Sequence, residues 1–142
     1  MPSSATYDVA KITVSVNGVL IEGFAEGSKV RCGRDVDTWQ KNVGTDGTVA
    51  RARNNDIGGK ITISLQRTSL SNDVLSALAN FDEVTGAGQA AVVVMDLLGT
   101  TLWKSADAWV TKPPEEEFAT QITTREWIFD CGHLDWFEGG NV

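Results

Sequence analysis

The segment from Lys60 to Arg67 carries the clearest structural signal in the sequence. Polar and apolar residues alternate through it, with Ile61, Ile63 and Leu65 at every second position, which is the period of a strand with one buried face. A run of turn-forming residues, Asn54 to Gly59, comes directly before it. The fold must therefore include a sheet that packs one face against a core.

Several other segments have the same character. The dipeptide Asn17-Gly18 separates two apolar segments, Tyr7–Val16 and Val19–Glu22, and predicts a hairpin with a two-residue turn. Further strands are predicted at residues 29–34, 90–98, 102–111 and 123–134. Within the strand at 102–111, the period of two places Trp103 and Trp109 on one face, and within the last strand it places His133 on the same face as Trp127.

One helix is predicted, at about residues 69–82. Ser69 or Ser71 can accept hydrogen bonds from its first amides, and Asp73 suits the positive end of the helix dipole. Apolar residues recur at helical spacing, at Leu70, Val74, Leu75, Leu78 and Phe81. The sequence thus predicts a mainly β fold, a β-sandwich or barrel of about seven or eight strands flanked by one α-helix, in a single domain of residues 1–142.

A long segment at about residues 35–59 has no sustained period at its start, and compact domains rarely carry so long a loop without a use for it. Two interpretations stay open. Either Trp39 folds back on the core of its own chain, or the segment is an arm that contacts a neighbouring subunit, with Trp39 as its anchor and its cations facing acidic partners. The residues assigned to such an arm are Trp39, Lys41, Asp46, Arg51, Arg53, Asn54 and Asn55.

Short motifs in order along nearly the whole chain resemble one family. They include residues 44–47 (GTDG), 51–55 (RARNN), 59–65 (GKITISL), 68–78 (TSLSNDVLSAL), 96–102 (DLLGTTL) and 124–127 (TREW). The chain resembles the tail tube proteins of bacteriophages, in particular those of contractile-tailed phages. This resemblance implies homohexameric rings stacked head to tail, with inner strands joined into a continuous barrel and an arm that contacts the adjoining ring.

The resemblance also implies partners and a location. The expected partners are further copies of the chain, the tail sheath, the baseplate hub and the tail terminator, while DNA and the tape measure protein pass through the lumen without specific binding. The subunit would be assembled in the host cytoplasm and end in the virion tail. The longest apolar run, Ala90 to Met95, is too short to span a membrane or serve as a signal.

The net charge of −7 is unevenly distributed. Residues 1–67 hold nine Lys/Arg and seven Asp/Glu, for +2, whereas residues 68–142 hold three and twelve, for −9. A net acidic chain is a poor ligand for nucleic acid, and a channel that must release DNA benefits from this. Candidate residues for a lumen face are Thr62, Ser64 and Gln66, and the acidic run Glu115, Glu116 and Glu117 is either a solvated loop or a contact for the basic arm of the next ring.

No catalytic, cofactor or metal site is predicted. His133 is the only histidine, and Cys131 and Cys32 could add soft ligands but lack a paired Cys-x-x-Cys motif and a fourth ligand. The two thiols are expected either to stay reduced and buried or to form a disulfide between subunits once particles leave the cell. Two alternatives to a phage tail tube remain: the tube of a tailocin or type VI-like machine, and a monomeric carbohydrate-binding module that stacks sugars on Trp39, Trp103 and Trp109.

Overall fold

The computed structural model describes residues 4–141. The first three residues and the last residue of the predicted domain, 1–142, lie outside the described part. After a short 3-10 turn, Val9–Lys11, the chain forms ten strands and one helix. The strands are β1 Ile12–Val16, β2 Val19–Leu20, β3 Val30–Arg34, β4 Trp39–Val43, β5 Val49–Arg53, β6 Gly59–Gln66, β7 Ala90–Asp96, β8 Leu102–Val110, β9 Thr124–Cys131 and β10 Asp135–Phe137, and the helix is α1 Ser71–Thr85. The mainly β prediction, with one helix, is confirmed.

Eight of the strands form one antiparallel sheet. Their order is β2-β1-β7-β8-β9-β6-β3, and β10 pairs with β8. Within residues 4–141, the other two strands, β4 and β5, pair only with each other. The sequence predicted about seven or eight strands in all and the structure has ten, because the segment predicted as a long loop or arm forms a hairpin and the last predicted strand divides in two.

The core lies on one face of the curled sheet. Ile61, Ile63 and Leu65 of β6 are completely buried, as their alternation predicts. The other large buried apolar side chains come from β1, β7, β9, α1 and the segment before β10, and they include Val14, Val16, Val92, Phe129, Leu75 and Leu134. Burying each such side chain contributes about 1.5–3 kcal/mol to the stability of the fold, and this burial is the main source of that stability.

The predicted hairpin at Asn17-Gly18 is confirmed. Val16 pairs with Val19 across it, and both turn residues adopt positive φ, 51° for Asn17 and 81° for Gly18. This is the backbone of a two-residue type I′ turn, which Asn-Gly favours because both residues tolerate it. The Asn17 side chain also accepts a hydrogen bond from the amide of Ala91 at 2.9 Å, so the turn is tied to the neighbouring strand β7.

Strand β8 contains a bulge that overturns one prediction. Ala90 of β7 pairs with Ala108, but Val92 pairs with Ser105, so β8 has one residue more than its partner between these pairs. The extra residue reverses the alternation. Trp103 consequently packs against the core, whereas Trp109 lies beside Asp130 on the outer face. The prediction that Trp103 and Trp109 share a face is wrong.

The predicted last strand is interrupted at its end. It divides into β9 and β10, because Gly132 and His133 form a bend after Cys131. His133 does not share the buried face of Trp127; its ring is largely exposed, with Nδ1 2.8 Å from Oδ2 of Asp107. The hydrogen bond with His133 holds the pKa of Asp107 below its ordinary value.

Helix α1 is joined to the sheet by polar contacts at its first turn. The Ser69 hydroxyl oxygen accepts the amide of Ser71 at 3.2 Å, although Leu70 occupies the N-cap position. The buried Asn72 amide donates to the carbonyls of Gln66 and Ser69, and its Oδ1 accepts the indole N–H of Trp127 at 2.9 Å. These bonds fix the start of the helix against β6 and β9.

The predicted apolar face of the helix is correct only in part. Leu75 is fully buried and Leu78 packs at the edge of the core. Leu70, Val74 and Phe81 are exposed. The helical period was therefore real, but the helix rests on the sheet along a narrower line than the number of apolar residues suggested.

Gly59, the first residue of β6, occupies a position where no side chain fits. A Cβ there would lie 2.6 Å from Cδ2 of Leu134 and would overlap the carbonyl oxygen of Gly33 on β3. We expect Gly59→Ala to lower the free energy of unfolding by about 2–3 kcal/mol, because backbone on one side and core on the other must move. Urea denaturation measures this change.

The neighbouring Gly33 supplies the matched control. It lies beside β6 on β3, but a Cβ there meets no atom within 4 Å. Gly33→Ala should change the free energy of unfolding by less than about 1 kcal/mol. Equal urea midpoints for the two variants would contradict the close packing assigned to Gly59.

Candidate assembly surfaces

The segment Asp35–Gly58, which we call the arm, forms a β-hairpin whose two strands are exposed. Its strands β4 and β5 are in register from Trp39 opposite Arg53 to Val43 opposite Val49. At its base, the amide of Asn54 donates to the carbonyl of Thr38 at 2.7 Å. All ten residues of β4 and β5 are exposed, so this hairpin contributes nothing to the core of its own subunit.

One face of the arm is aromatic and cationic. The register places Trp39, Lys41, Arg51 and Arg53 on this face. The Arg51 guanidinium carbon lies 3.8 Å from the centre of the Trp39 ring, within the range of a cation–π interaction, and that of Arg53 lies 5.8 Å away. Trp39 remains 46% exposed. Its packing is against its own hairpin, so the interpretation that Trp39 folds back on the core is wrong.

The three cations of this face lack an acidic partner in the described part of the chain. No carboxylate of residues 4–141 lies within 4.0 Å of Lys41, Arg51 or Arg53. Lys41 and Arg51 are moreover directly opposite each other, an arrangement that repels. Repulsion between these like charges is unfavourable in an isolated subunit, whereas an acidic surface on another molecule would offset it.

The remaining arm candidates have local roles. Oδ1 of Asp46 accepts the amide of Thr48 at 3.0 Å, and this bond lowers the pKa of Asp46 from its ordinary value. Oδ1 of Asn54 accepts the amide of Asp56 in the same way. Asp46 and Asn54 therefore shape the tip and the base of the arm. Asn55 is exposed beside Trp39 and makes no side-chain hydrogen bond within residues 4–141.

A second surface is acidic. A depression lies between the loop Lys112–Glu117 and the first half of β9, and it is lined by the predicted residues Glu115, Glu116 and Glu117. Glu126 of β9 also lines it, and Lys112 at the start of the loop is a cation in the same lining. Glu126 was not among the acidic residues predicted from the sequence, because nothing in the sequence shows that the loop folds over β9.

Glu116 differs from its neighbours in the depression. Its two carboxylate oxygens bind Arg67 and Arg125, the latter with Nη2 2.6 Å from Oε2. The hydrogen bond from Arg67 holds the pKa of Glu116 below its ordinary value. Glu115, Glu117 and Glu126 have no cation within 4.0 Å in the described part of the chain. Glu116 thus holds the loop in place and leaves three carboxylates unpaired.

The predicted lumen residues lie on the face of β6 opposite the core. Gln66 is exposed and Thr62 is half-buried, but Ser64 is only 7% exposed. The adjoining loop explains this burial, because the backbone of Ser64 bonds to the carbonyl of Lys29 and to the amide of Ala25. In the isolated subunit, Thr62 and Gln66 are therefore the members of this set that are available to line a channel.

The two cysteines are free thiols on or beside the core. Cys131 is 4% exposed and Cys32 is half-buried on β3. Burial raises the pKa of the Cys131 thiol and raises the pKa of the Cys32 thiol to about 12. A disulfide from Cys131 to another subunit would require the core to open, so the predicted inter-subunit disulfide stays a prediction that this geometry disfavours.

The thiols should resist alkylation. At about pH 8, a thiol with a pKa near 12 is ionised in about one molecule in ten thousand, and the thiolate is the reactive form. We expect iodoacetamide to label the folded protein at least about a hundredfold more slowly than the protein in urea, with the rate still rising with pH above 9. Mass spectrometry measures both rates. Labelling of folded and unfolded protein at equal rates would contradict the burial of both residues.

No helix among the described residues is long and apolar enough to span a membrane. Comparison with known proteins adds relatives in sequence and in fold. Residues 4–139 match the family described as "Bacteriophage PhiTE tail tube protein". The chain is 33% identical over 146 residues to "Structural protein ORF10" of Pseudomonas phage KPP10, covering 97% of this chain and 84% of that protein.

Three solved structures share the fold. The anti-feeding prophage cap, described as a tube-terminating cap, matches with a TM-score of 0.66 and 10% identity over 96% of this chain and 94% of its own. The sheath/tube terminator of the extracellular contractile injection system PVC matches with 0.62 and 15% over 96% and 100%. A chain of the PVC sheath-tube complex matches with 0.62 and 14% over 96% and 93%. At these identities the likeness concerns the fold alone.

Proposed function

The chain belongs to the bacteriophage PhiTE tail tube protein family, and from this membership we propose that it is the structural subunit of a phage tail tube. Subunits form hexameric rings, the rings stack head to tail, and the resulting hollow tube conducts DNA into the host cell. The observation that carries this proposal beyond the family match is the arm. It is a hairpin with exposed strands, and within residues 4–141 its three cations have no acidic partner, which is what an assembly contact requires.

The sheet supplies a second assembly feature. β3 pairs on one side only, with β6, and so ends the main sheet with free backbone donors and acceptors. Such an edge is a template for pairing with another chain, and ring closure removes it. In the proposed ring, strands of neighbouring subunits join into a barrel whose inner face includes Thr62 and Gln66. Those side chains are uncharged, so the lumen does not hold the DNA that passes through it.

The proposed partners follow from the same role. The tube is surrounded by a tail sheath, begins on a baseplate hub and ends at a tail terminator, while the tape measure protein and DNA occupy the lumen. The subunit is made in the host cytoplasm and becomes part of the virion. Its role is structural and not enzymatic, in keeping with the phage relative, which is named a structural protein.

Two alternatives are less well supported. A tailocin or type VI-like injection tube would use the same fold, and the match to a phage tail tube family favours the phage. A carbohydrate-binding module needs aromatic rings on a common platform. Trp103 and Trp109 lie on opposite faces of β8, and one side of the Trp39 ring is occupied by Arg51, so these residues form no such platform.

Electron microscopy of the purified protein tests the proposal. We expect hollow tubes at high protein concentration or, where nucleation limits assembly, after addition of tail or baseplate fragments as seeds. Raising the salt to about 1 M should shorten the tubes, because contacts between exposed charges are screened. A protein that stays monomeric at all concentrations and with seeds would overturn the proposal.

A further inference from the structure

We propose that the arm of one subunit docks into the acidic depression of a second copy, and that this contact sets the polarity of the polymer. The inference rests on the proposed function and adds to it the surface that receives the arm. The depression is the one between the loop Lys112–Glu117 and β9, with Glu115, Glu117 and Glu126 as its free carboxylates. The occupant is the face of the arm that carries Trp39 and the three cations.

The positions of the two surfaces suit a head-to-tail contact. The arm leads directly into β6 at Gly59, while Arg67, the residue after the other end of β6, binds Glu116 of the acidic loop. Strand β9 pairs with the whole of β6, from Gly59 opposite Cys131 to Gln66 opposite Thr124. The end of β9 at Cys131 is therefore beside the base of the arm, and its start at Thr124 lines the depression. A ladder of eight residues is about 24 Å long. The base of the arm and the acidic depression therefore lie at opposite ends of the same pair of strands.

The charges of the two surfaces are complementary. Lys41, Arg51 and Arg53 have no acid within ion-pair distance among residues 4–141, and Glu115, Glu117 and Glu126 have no cation. Each surface repels itself and attracts the other. Contacts of arm with arm, or of depression with depression, are consequently unfavourable. A contact between the arm of one copy and the depression of another pairs the cations with the carboxylates.

The receiving surface is held in place within its own subunit. Glu116 binds Arg67 from the end of β6 and Arg125 from β9, so the acidic loop is fixed to both strands before any partner arrives. Pro113 and Pro114 restrict the backbone of the same loop. Ile128 and Pro114 add apolar surface to the lining, against which the exposed part of the Trp39 ring can pack.

The geometry of this contact determines the kind of polymer. The two surfaces are different and lie at opposite ends of the β6/β9 pair, so one contact leaves a free depression on one copy and a free arm on the other. Head-to-tail repetition of this contact gives an open filament with one end presenting free arms and the other presenting free depressions.

Charge reversal tests the pairing. Arg51→Glu/Arg53→Glu and Glu115→Lys/Glu117→Lys each place like charges at the contact, and each should abolish seeded tube formation in electron microscopy and sedimentation. The quadruple variant has an acidic arm and a cationic depression, and it should assemble again. Circular dichroism establishes that every variant is folded, as expected for substitutions of exposed residues.

A matched control separates this contact from a general effect of charge. Glu83 lies on α1 and is part of neither surface, and like Glu117 it is exposed and has no ion pair within residues 4–141. Glu83→Lys should assemble as the unmodified protein does, whereas Glu117→Lys should need at least about tenfold more protein to assemble.

The outcomes distinguish this inference from the proposed function. Failure of the unmodified protein to form tubes would overturn the proposed function. If the unmodified protein forms tubes, normal assembly of either double variant overturns the docking inference alone. So does a folded quadruple variant that fails to assemble while Glu83→Lys succeeds. Restored assembly of the quadruple variant supports the pairing of arm and depression.

Discussion

Excision of the arm is expected to abolish tube assembly and to leave a folded subunit. The change replaces residues 39–53 with a two-residue Asn-Gly turn. The site for closure exists already, because the amide of Asn54 donates to the carbonyl of Thr38 at 2.7 Å, the distance across a hairpin rung. Tubes should be absent in electron microscopy at protein concentrations at least about a hundredfold above those that suffice for the unmodified protein.

The subunit should survive this excision because the arm and the core do not depend on each other. All residues of β4 and β5 are exposed, and the two strands pair only between themselves. We expect Tm to change by no more than about 4 °C, which corresponds to about 1 kcal/mol for a domain of this size. Differential scanning calorimetry measures Tm on the same preparations that are examined by microscopy.

The opposite face of the arm provides the control. Gln40 and Asn42 alternate with Trp39 and Lys41 along β4, so they project from the face without cations. Gln40→Ser/Asn42→Ser should form tubes as the unmodified protein does. Normal tubes from the excised variant would show that the arm is not an assembly contact, and loss of tubes in the control would show that its cationic face has no special role.

The largest expected effect on stability is at Trp127. Its side chain is 2% exposed, projects from β9 into the core and donates its indole N–H to Oδ1 of the buried Asn72. Trp127→Ala removes this packing and leaves Oδ1 of Asn72 without a donor, so we expect the free energy of unfolding to fall by about 4 kcal/mol or more. Urea denaturation followed by circular dichroism measures the loss.

Two further variants separate packing from hydrogen bonding. Trp127→Phe keeps an aromatic ring but removes the N–H, and should cost about 1–3 kcal/mol. Asn72→Ala should cost a similar amount, since its amide also holds the carbonyls of Gln66 and Ser69. A loss below about 1 kcal/mol for Trp127→Ala would contradict the central position assigned to this residue.

The parts of the fold that follow from local chemistry could be predicted from the sequence. The alternation of Ile61, Ile63 and Leu65 and the turn at Asn17-Gly18 determine their structures within a few residues, and both predictions are confirmed. The bulge in β8 could not be predicted, because it depends on how β8 is paired with β7 and no residue type in β8 signals it. One extra residue was enough to place Trp109 on the face opposite to the predicted one.

In the candidate surfaces too, residue types could be read from the sequence, whereas the arrangement of the side chains depends on the fold. The cations of the arm were identified from residue type, but the hairpin that arranges them on one face arises from the pairing of β4 with β5. Glu126 was not predicted as part of the acidic surface, because Glu116 is ten residues away from it in the sequence. The two residues come together only in the fold, where Arg67 and Arg125 bind Glu116. Likewise, the depth of Cys131 depends on its position in the sheet, so the sequence left both states of the thiol open.

Cryo-electron microscopy of the assembled polymer, with helical reconstruction, tests the central claim most directly. The account predicts a hollow tube of six-subunit rings stacked head to tail, with Thr62 and Gln66 facing the lumen and the arm of each subunit against Glu115 and Glu117 of a subunit in the next ring. A closed dimer, or a polymer in which the arms lie free in solvent, would contradict it.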